Sequence, residues 1–317
     1  MRPLVLGATL LAACAASARE PRLTYTEVQS AAEGRPMRYG VYLPPGWDEQ
    51  TPLPLVVFLH GGGDDELAWD KHPVVTRTLD RWIEDGRLPP FVAVVPNGDV
   101  GFWRDWHDGS HHYESWVMDE VIPAMQARFP LVDGPEGLHL MGISMGGAGT
   151  MYMGLDHLDR FGSLSVWSAP IVDAEKTERF MTKGILSTFA PFERIFDLTD
   201  VPGMRARNAY ERLEAPGDLR GTRLLIGAGT ADIPGALRAT RELHAHLTTQ
   251  GVPHTFVKYQ GGHVYSAWSK VFPVALCLAL DPEGCALAPS PAWTMTTVPA
   301  RETVARQQGE AVPSAAE

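Results

Sequence analysis

The segment Leu138–Gly149, LHLMGISMGGAG, constrains this chain more than any other. An apolar run with the character of a strand covered on both faces passes through Gly142-Ile143-Ser144-Met145-Gly146 directly into a small-residue helix. A serine on so sharp a strand-to-helix turn takes strained backbone angles, and the residues two before and two after it come too close to their neighbours for a β-carbon. Both glycines of the pattern are thereby explained. A strand buried on both faces calls for helices above and below a mostly parallel sheet.

The rest of the sequence fits that demand. Strand candidates at 37–43, 55–59, 91–95, 138–143, 163–167, 223–228 and 254–259 alternate with helix candidates at 76–85, 113–128, 147–157, 236–250 and 266–280, each with apolar residues at three- and four-residue spacing. The 317 residues can form one large α/β domain, and 44% hydrophobic with 21% charged residues is the balance of a globular protein with an ample core. Between the fifth and sixth of these strands lies a longer segment, about 172–213, carrying Phe180, Met181, Phe189, Phe192, Ile195 and Phe196. It reads either as a helical cap over the C-terminal ends of the strands or as ordinary peripheral helices.

The ends have a different character. Arg2 precedes an apolar stretch from Leu4 to Leu11 and then small residues, the layout of an export signal over 1–18 that is too short to span a bilayer. Two cleavage patterns overlap there. Leu11-Ala12-Ala13-Cys14 has the form of a lipobox, which would lipidate Cys14 and anchor the protein to a membrane, and Ala16-Ser17-Ala18 has the form of an ordinary signal-peptidase site, which would release it. The catalytic domain is then expected over 19–288. Residues 289–317, rich in Pro, Ala, Thr, Glu and Gln, are expected to be a disordered tail.

Charge and cysteine content narrow the chemistry. With 27 Lys+Arg against 38 Asp+Glu, the net charge of -11 is the wrong sign for wrapping nucleic acid. Three cysteines at 14, 277 and 285 make no zinc pattern, and the His107, His111, His112, Asp105, Asp108 group matches no metal-ligand spacing, so no metal is expected. A return turn over Asp281–Gly284 brings Cys277 and Cys285 within the roughly 4.4 to 6.8 Å between α-carbons that a disulfide requires, and export permits the bond; two separate buried thiols are the alternative.

Ser144 needs a base, and the base an orienting acid. His263 follows the last strand in the loop Gln260-Gly261-Gly262, and Asp232 follows the strand RLLIGAG, so both stand just past strand ends. His244, His246 and His254 fall inside a helix or at a strand start, and Asp218 and Asp281 are misplaced in chain order. The strand LPLVVFL ends in His60-Gly61-Gly62-Gly63, a loop in which backbone N–H groups can approach a reacting carbonyl. Gly62 N–H and Met145 N–H are the expected oxyanion donors. Trp103 and Trp106, with Phe102, are candidates for a substrate pocket wall, with plain packing beneath the loop the alternative.

These motifs, LHGGGDD, the W-x-D-W stretch followed by HHYESWVMDEVIP, GISMGG, and the Asp232 and His263 pair, come in the order seen in the esterase D branch of the α/β-hydrolase superfamily, which includes feruloyl esterases, S-formylglutathione hydrolases and mycobacterial mycolyltransferases. The chain resembles that branch over roughly 38–280. The resemblance implies an α/β-hydrolase fold, Ser144, Asp232 and His263 as a triad, and Gly62 and Met145 as oxyanion donors. It does not imply a particular substrate; a small-molecule or polysaccharide-linked ester, attacked without a cofactor, is what the two-step acyl-transfer mechanism leads one to expect. A serine carboxylesterase is the leading expectation; an acyltransferase or peptidase with the same triad, and a non-catalytic binding protein, are the alternatives.

Overall fold

A computed structural model describes residues 22–183, 190–288 and 290–299. The export signal with Cys14, residues 300–317, Phe189 and the side chains of Phe180 and Met181 lie outside the described part.

The described strands are β1 (Arg22–Gln29), β2 (Pro36–Leu43), β3 (Leu55–Leu59), β4 (Val92–Pro96), β5 (Leu138–Ile143), β6 (Ser163–Trp167), β7 (Arg223–Gly229), β8 (His254–Tyr259) and β9 (Trp293–Val298). They form one sheet in the order β1-β2-β4-β3-β5-β6-β7-β8-β9. From β4 to β8 all neighbours are parallel, and β1, β2 and β9 join antiparallel. This is the α/β-hydrolase arrangement. All residues of β3, β4, β5 and β6 are buried, as their continuous apolar sequences demand. Two apolar layers flank the sheet. One holds Val57, Leu140, Trp116 and Leu243, the other Phe58, Trp69, Trp268 and Phe272.

The predicted strands are all present, and two more extend the sheet. β1 is polar and alternating, with Thr24, Tyr25, Glu27 and Gln29 exposed; its place is set by pairing with β2 across a turn at Gly34, whose φ is +65°. β9 corrects the expected tail. Its Thr-rich sequence pairs along the whole of β8, while Trp293 packs on the apolar layer of Trp268 and Phe272. Too few apolar residues mark either strand, because an edge strand buries little.

Helices differ mainly where proline intervenes. The expected helix at 266–280 is two, Tyr265–Trp268 and Phe272–Leu280, with Pro273 in the first turn of the second, where its missing N–H costs nothing. The helix at 113–128 contains a π-helical turn over Trp116–Val121, just ahead of Pro123. A bridge joins Cys277 to Cys285, with α-carbons 5.4 Å apart. The 172–213 segment carries helices Ala174–Lys183, Phe192–Ile195, Val201–Ala206 and Ala209–Arg212, and it buries Phe192 and Ile195 in the main core. Backbone bonds from His107 and Asp108 N–H to Ile195 and Arg194 carbonyls tie it to the aromatic loop after β4. Among the described residues no helix is long and apolar enough to cross a membrane.

Candidate active site

Ser144 sits between β5 and the helix Met145–Asp156 with φ +53° and ψ -117°, a conformation that costs on the order of 1 to 3 kcal/mol for a residue with a side chain. The glycines on either side make it attainable: a β-carbon at Gly142 would strike the Gly146 carbonyl, and one at Gly146 the Leu59 carbonyl. Ser144 N–H donates to the Trp167 carbonyl on β6 at 2.8 Å, which fixes the turn from the neighbouring strand.

His263 and Asp232 reach Ser144 from the loops after β8 and β7. His263 Nδ1 lies 2.7 Å from Asp232 Oδ1, and His263 Nε2 lies 2.9 Å from Ser144 Oγ. A carboxylate only accepts, so Nδ1 carries the proton and Nε2 is left to accept the serine hydroxyl proton. The three residues placed by sequence in separate loops are thus joined by two consecutive hydrogen bonds. Burial acts to raise the Asp232 carboxyl, but hydrogen bonds from His263, the Ser168 hydroxyl and Gly229 N–H outweigh it and hold the group below its usual range.

Sequence reasoning missed the support beneath this relay. Ser168, the residue after β6, is fully buried, has φ +52°, and donates to Asp232 Oδ2 at 2.6 Å. Its oxygen accepts from the Trp268 indole N–H at 2.9 Å and from the Tyr259 phenol at 2.7 Å. Burial raises the Tyr259 phenol far above its ordinary value, so it stays a donor. Trp268 also stands edge-on to the His263 ring, with centroids 4.9 Å apart. The signal available was positional: Ser168, like Asp232 and His263, lies just past the C-terminal end of a strand.

The oxyanion candidates face each other across the elbow. A β-carbon on Gly61 would touch Ser144 Cβ at 3.5 Å, and one on Gly62 would touch Met145 Sδ at 3.9 Å. Among the described residues neither Gly62 N–H nor Met145 N–H has a hydrogen-bond acceptor. The second missed residue is His60. It is fully buried; its Nε2 accepts from Gly98 N–H at 3.1 Å, so its Nδ1 carries the proton and donates to the Gly61 carbonyl at 2.9 Å. Burial lowers its basicity and keeps it neutral. In a planar trans peptide the N–H opposes the C=O, so pinning the Gly61 carbonyl turns Gly62 N–H the other way.

The expected pocket wall is corrected. Trp103 is fully buried and Trp106 nearly so. Trp103 donates to the His60 carbonyl at 3.2 Å and lies flush against Gly98 and Gly149, where a β-carbon would come within 2.5 Å of it. The cause is two consecutive residues with left-handed backbone, Phe102 and Trp103, at φ +54° and +58°. They turn Trp103 into the core and leave Phe102 against Phe192, with ring centroids 4.9 Å apart. A small cleft of about 30 Å³ lined by Phe102, Ala148, Val172 and Phe192 begins one helical turn from Ser144. The histidines of the loop disperse: His111 bonds Glu33 at 2.9 Å and His107 faces Asp197 at 3.7 Å.

Comparison with known proteins agrees with the fold. Residues 30–278 match the family described as putative esterase. An esterase of Mycobacterium tuberculosis is 25% identical over 273 residues, covering 78% of this chain and 56% of that protein, so the chain spans little more than half the length of this relative. An endo-1,4-beta-xylanase/feruloyl esterase of Xylanibacter ruminicola is 28% identical over 141 residues, which is 42% of this chain and 19% of the relative. Among solved structures, a ferulic acid esterase superposes with a TM-score of 0.67 at 19% identity over 82% of this chain and 98% of its own. A fluorophosphonate-binding serine hydrolase of Staphylococcus aureus gives 0.68 at 22% identity over 82% and 99%.

Proposed function

Because the chain belongs to the putative esterase family, we propose that it is a serine carboxylesterase working by acyl transfer in two steps. The observation that carries this reading is the unbroken relay from Ser144 Oγ through His263 to Asp232, at 2.9 and 2.7 Å. His263 takes the serine proton as Ser144 attacks the ester carbonyl. Gly62 and Met145 N–H groups receive the developing oxyanion, His263 protonates the departing alcohol, and an acyl-serine remains. Water, activated by His263, then attacks the acyl-serine, releases the acid and restores Ser144. Asp232 stays ionised throughout, holding the imidazole in the tautomer that accepts from serine and offsetting the charge it gains.

Acetyl, short acyl and hydroxycinnamoyl esters are the proposed substrates. Relatives named feruloyl esterase and acetyl esterase support that range. The 172–213 segment acts as the cap on the cleft, through Phe192 and its contact with Phe102. An exported enzyme, with residues 1–18 removed as its signal, or with cleavage at the lipobox leaving Cys14 as the first residue and lipid anchor, accords with the Cys277–Cys285 bridge, since such bonds persist in oxidising compartments. A fluorophosphonate probe tests both parts. It is expected to modify Ser144 in the purified protein, to leave Ser144→Ala untouched, and to label the chain in the exported fraction of its host. Labelling of Ser144→Ala would overturn the nucleophile, and labelling confined to the cytoplasm would overturn export.

A further inference from the structure

Arg104 follows the strained Phe102-Trp103 pair and carries a charge the fold does not neutralise. The residue is 9% exposed. Arg35, Arg38, Arg194 and Arg212 each meet a carboxylate, and Arg223 donates to the Ala279 carbonyl. Among the described residues Arg104 has neither a carboxylate within ion-pair distance nor a hydrogen-bond acceptor for its guanidinium. Its neighbours are aromatic rings: the guanidinium carbon lies 5.7 Å from the centre of Tyr152 and 5.5 Å from that of Phe196. With no acceptor among the described residues, its N–H donors are left to face the cavity, and the rings offset only part of the cost of removing most of the side chain from water.

The side chain lies where a substrate would run. It lines the small cleft that begins at Ala148 and also an adjoining cavity of about 100 Å³. Ala148 N–H bonds the Ser144 carbonyl at 3.0 Å, and Tyr152 is one further turn along the same helix. Eight residues at about 1.5 Å each put the Tyr152 level roughly 12 Å from Ser144, the reach of an extended ester arm of medium length. From these observations we propose that Arg104 is an anion-binding subsite, and that the enzyme's substrate is an ester with a carboxylate at the far end of one arm. The proposal rests on Ser144 being the esterase nucleophile. The planar guanidinium fork matches a carboxylate in two parallel hydrogen bonds.

The other charges in the larger cavity narrow the ligand class. Asp105 is taken up by Glu114 and Ser115 N–H and the Ser115 hydroxyl, Asp197 by Thr199 and Asp200 N–H and the Thr199 hydroxyl, and Asp200 by Gly203 N–H. These carboxylates leave the Arg104 donors free while keeping the cavity unfavourable to a dianion. Arg207 stands at the same cavity and tempers that repulsion. A single carboxylate fits this balance and a phosphate monoester does not.

The test is a pair of matched comparisons by kcat/KM. Monoethyl suberate against ethyl octanoate places the carboxylate on the acyl arm, and acetoxyhexanoate against hexyl acetate places it on the alcohol arm. The native enzyme is expected to favour the charged member of at least one pair, which also identifies the arm. In Arg104→Gln the charged-to-neutral ratio for that pair is expected to fall tenfold or more, with Arg104→Lys intermediate. Preference for the neutral member in both pairs by the native enzyme would overturn the proposal without any variant, as would an unchanged ratio in Arg104→Gln. Failure to turn over any of the four esters would overturn the esterase reading itself, and the subsite with it.

Discussion

Ser144 and the N–H groups beside it are held by main chain, whereas His263 and Asp232 are held by side chains that converge from other elements. On the first side, the nearest Gly142 and Gly146 contacts are carbonyl oxygens, Ser144 N–H is tied to the Trp167 carbonyl, and the side chains that take part, His60 on the Gly61 carbonyl, Trp103 on the His60 carbonyl and Thr150 on the Gly146 carbonyl, all act on main-chain oxygens. On the second, Ser168, Tyr259 and Trp268 supply hydroxyl and indole groups from β6, β8 and the helix Tyr265–Trp268. A main-chain scaffold responds to substitution by losing its shape. A side-chain scaffold can lose one bond, keep its shape, and lose rate.

Three substitutions put this division to the test. The steepest loss should come from Asp232→Asn: an amide cannot hold His263 in the accepting tautomer, so kcat should fall by about 10⁴ while folding is retained. Near-native turnover by this variant would mean that another carboxylate orients the base. Next is Gly146→Ala. Its methyl would meet the Leu59 and His60 carbonyls, which belong to a buried strand end and cannot yield, so urea unfolding should show a loss of about 4 kcal/mol. A variant as stable as the native protein would show that the elbow is not fixed by its backbone.

Ser168→Ala should be the mildest of the three. Losing one hydrogen bond to a charged group costs on the order of 1.5 to 3 kcal/mol, so kcat should fall roughly 10- to 100-fold with KM little changed, and Ser168→Thr should restore part of it. The sign of the accompanying titration is fixed. The Asp232 carboxyl lies below its ordinary value of 3.8, so it stabilises the fold above that pH and the contribution is lost as pH falls through the depressed value. Removing the Ser168 donor raises the group towards 3.8, and NMR titration of the Asp232 carboxyl should move upward. An unmoved titration with a lowered kcat would assign Ser168 to packing alone.

The same contrast explains what can be read in the amino-acid sequence. The elbow and the glycine loop are contiguous, their glycines are demanded by local backbone geometry, and both are legible from residue order alone. Asp232 and His263 are legible because position past a strand end is itself a sequence pattern. Ser168 also stands just past a strand end, but a lone serine there is not called for by the nucleophile as a base and an acid are, and its partners lie 64 and 91 residues away. Trp103 fails for another reason: nothing in the composition of the aromatic loop announces two left-handed residues in succession. Core strands are legible by their unbroken apolar runs, and β1 and β9 are not, since they bury one face at most.

Those two strands have a role that catalysis does not reveal. The family match covers residues 30–278, and both β1 and β9 fall outside it, one at each margin of the sheet. β9 covers the outer side of β8, and Gln260 N–H from the His263 loop donates to the Ala292 carbonyl just ahead of it. What each presents to solvent is mostly polar: Thr24, Glu27 and Gln29 on one, Thr294, Thr296 and Thr297 on the other. Open margins of a sheet are where chains recruit one another into larger aggregates, and hydrophilic border strands discourage it. The two borders put polar side chains at the margins of the sheet, away from the serine and its partners.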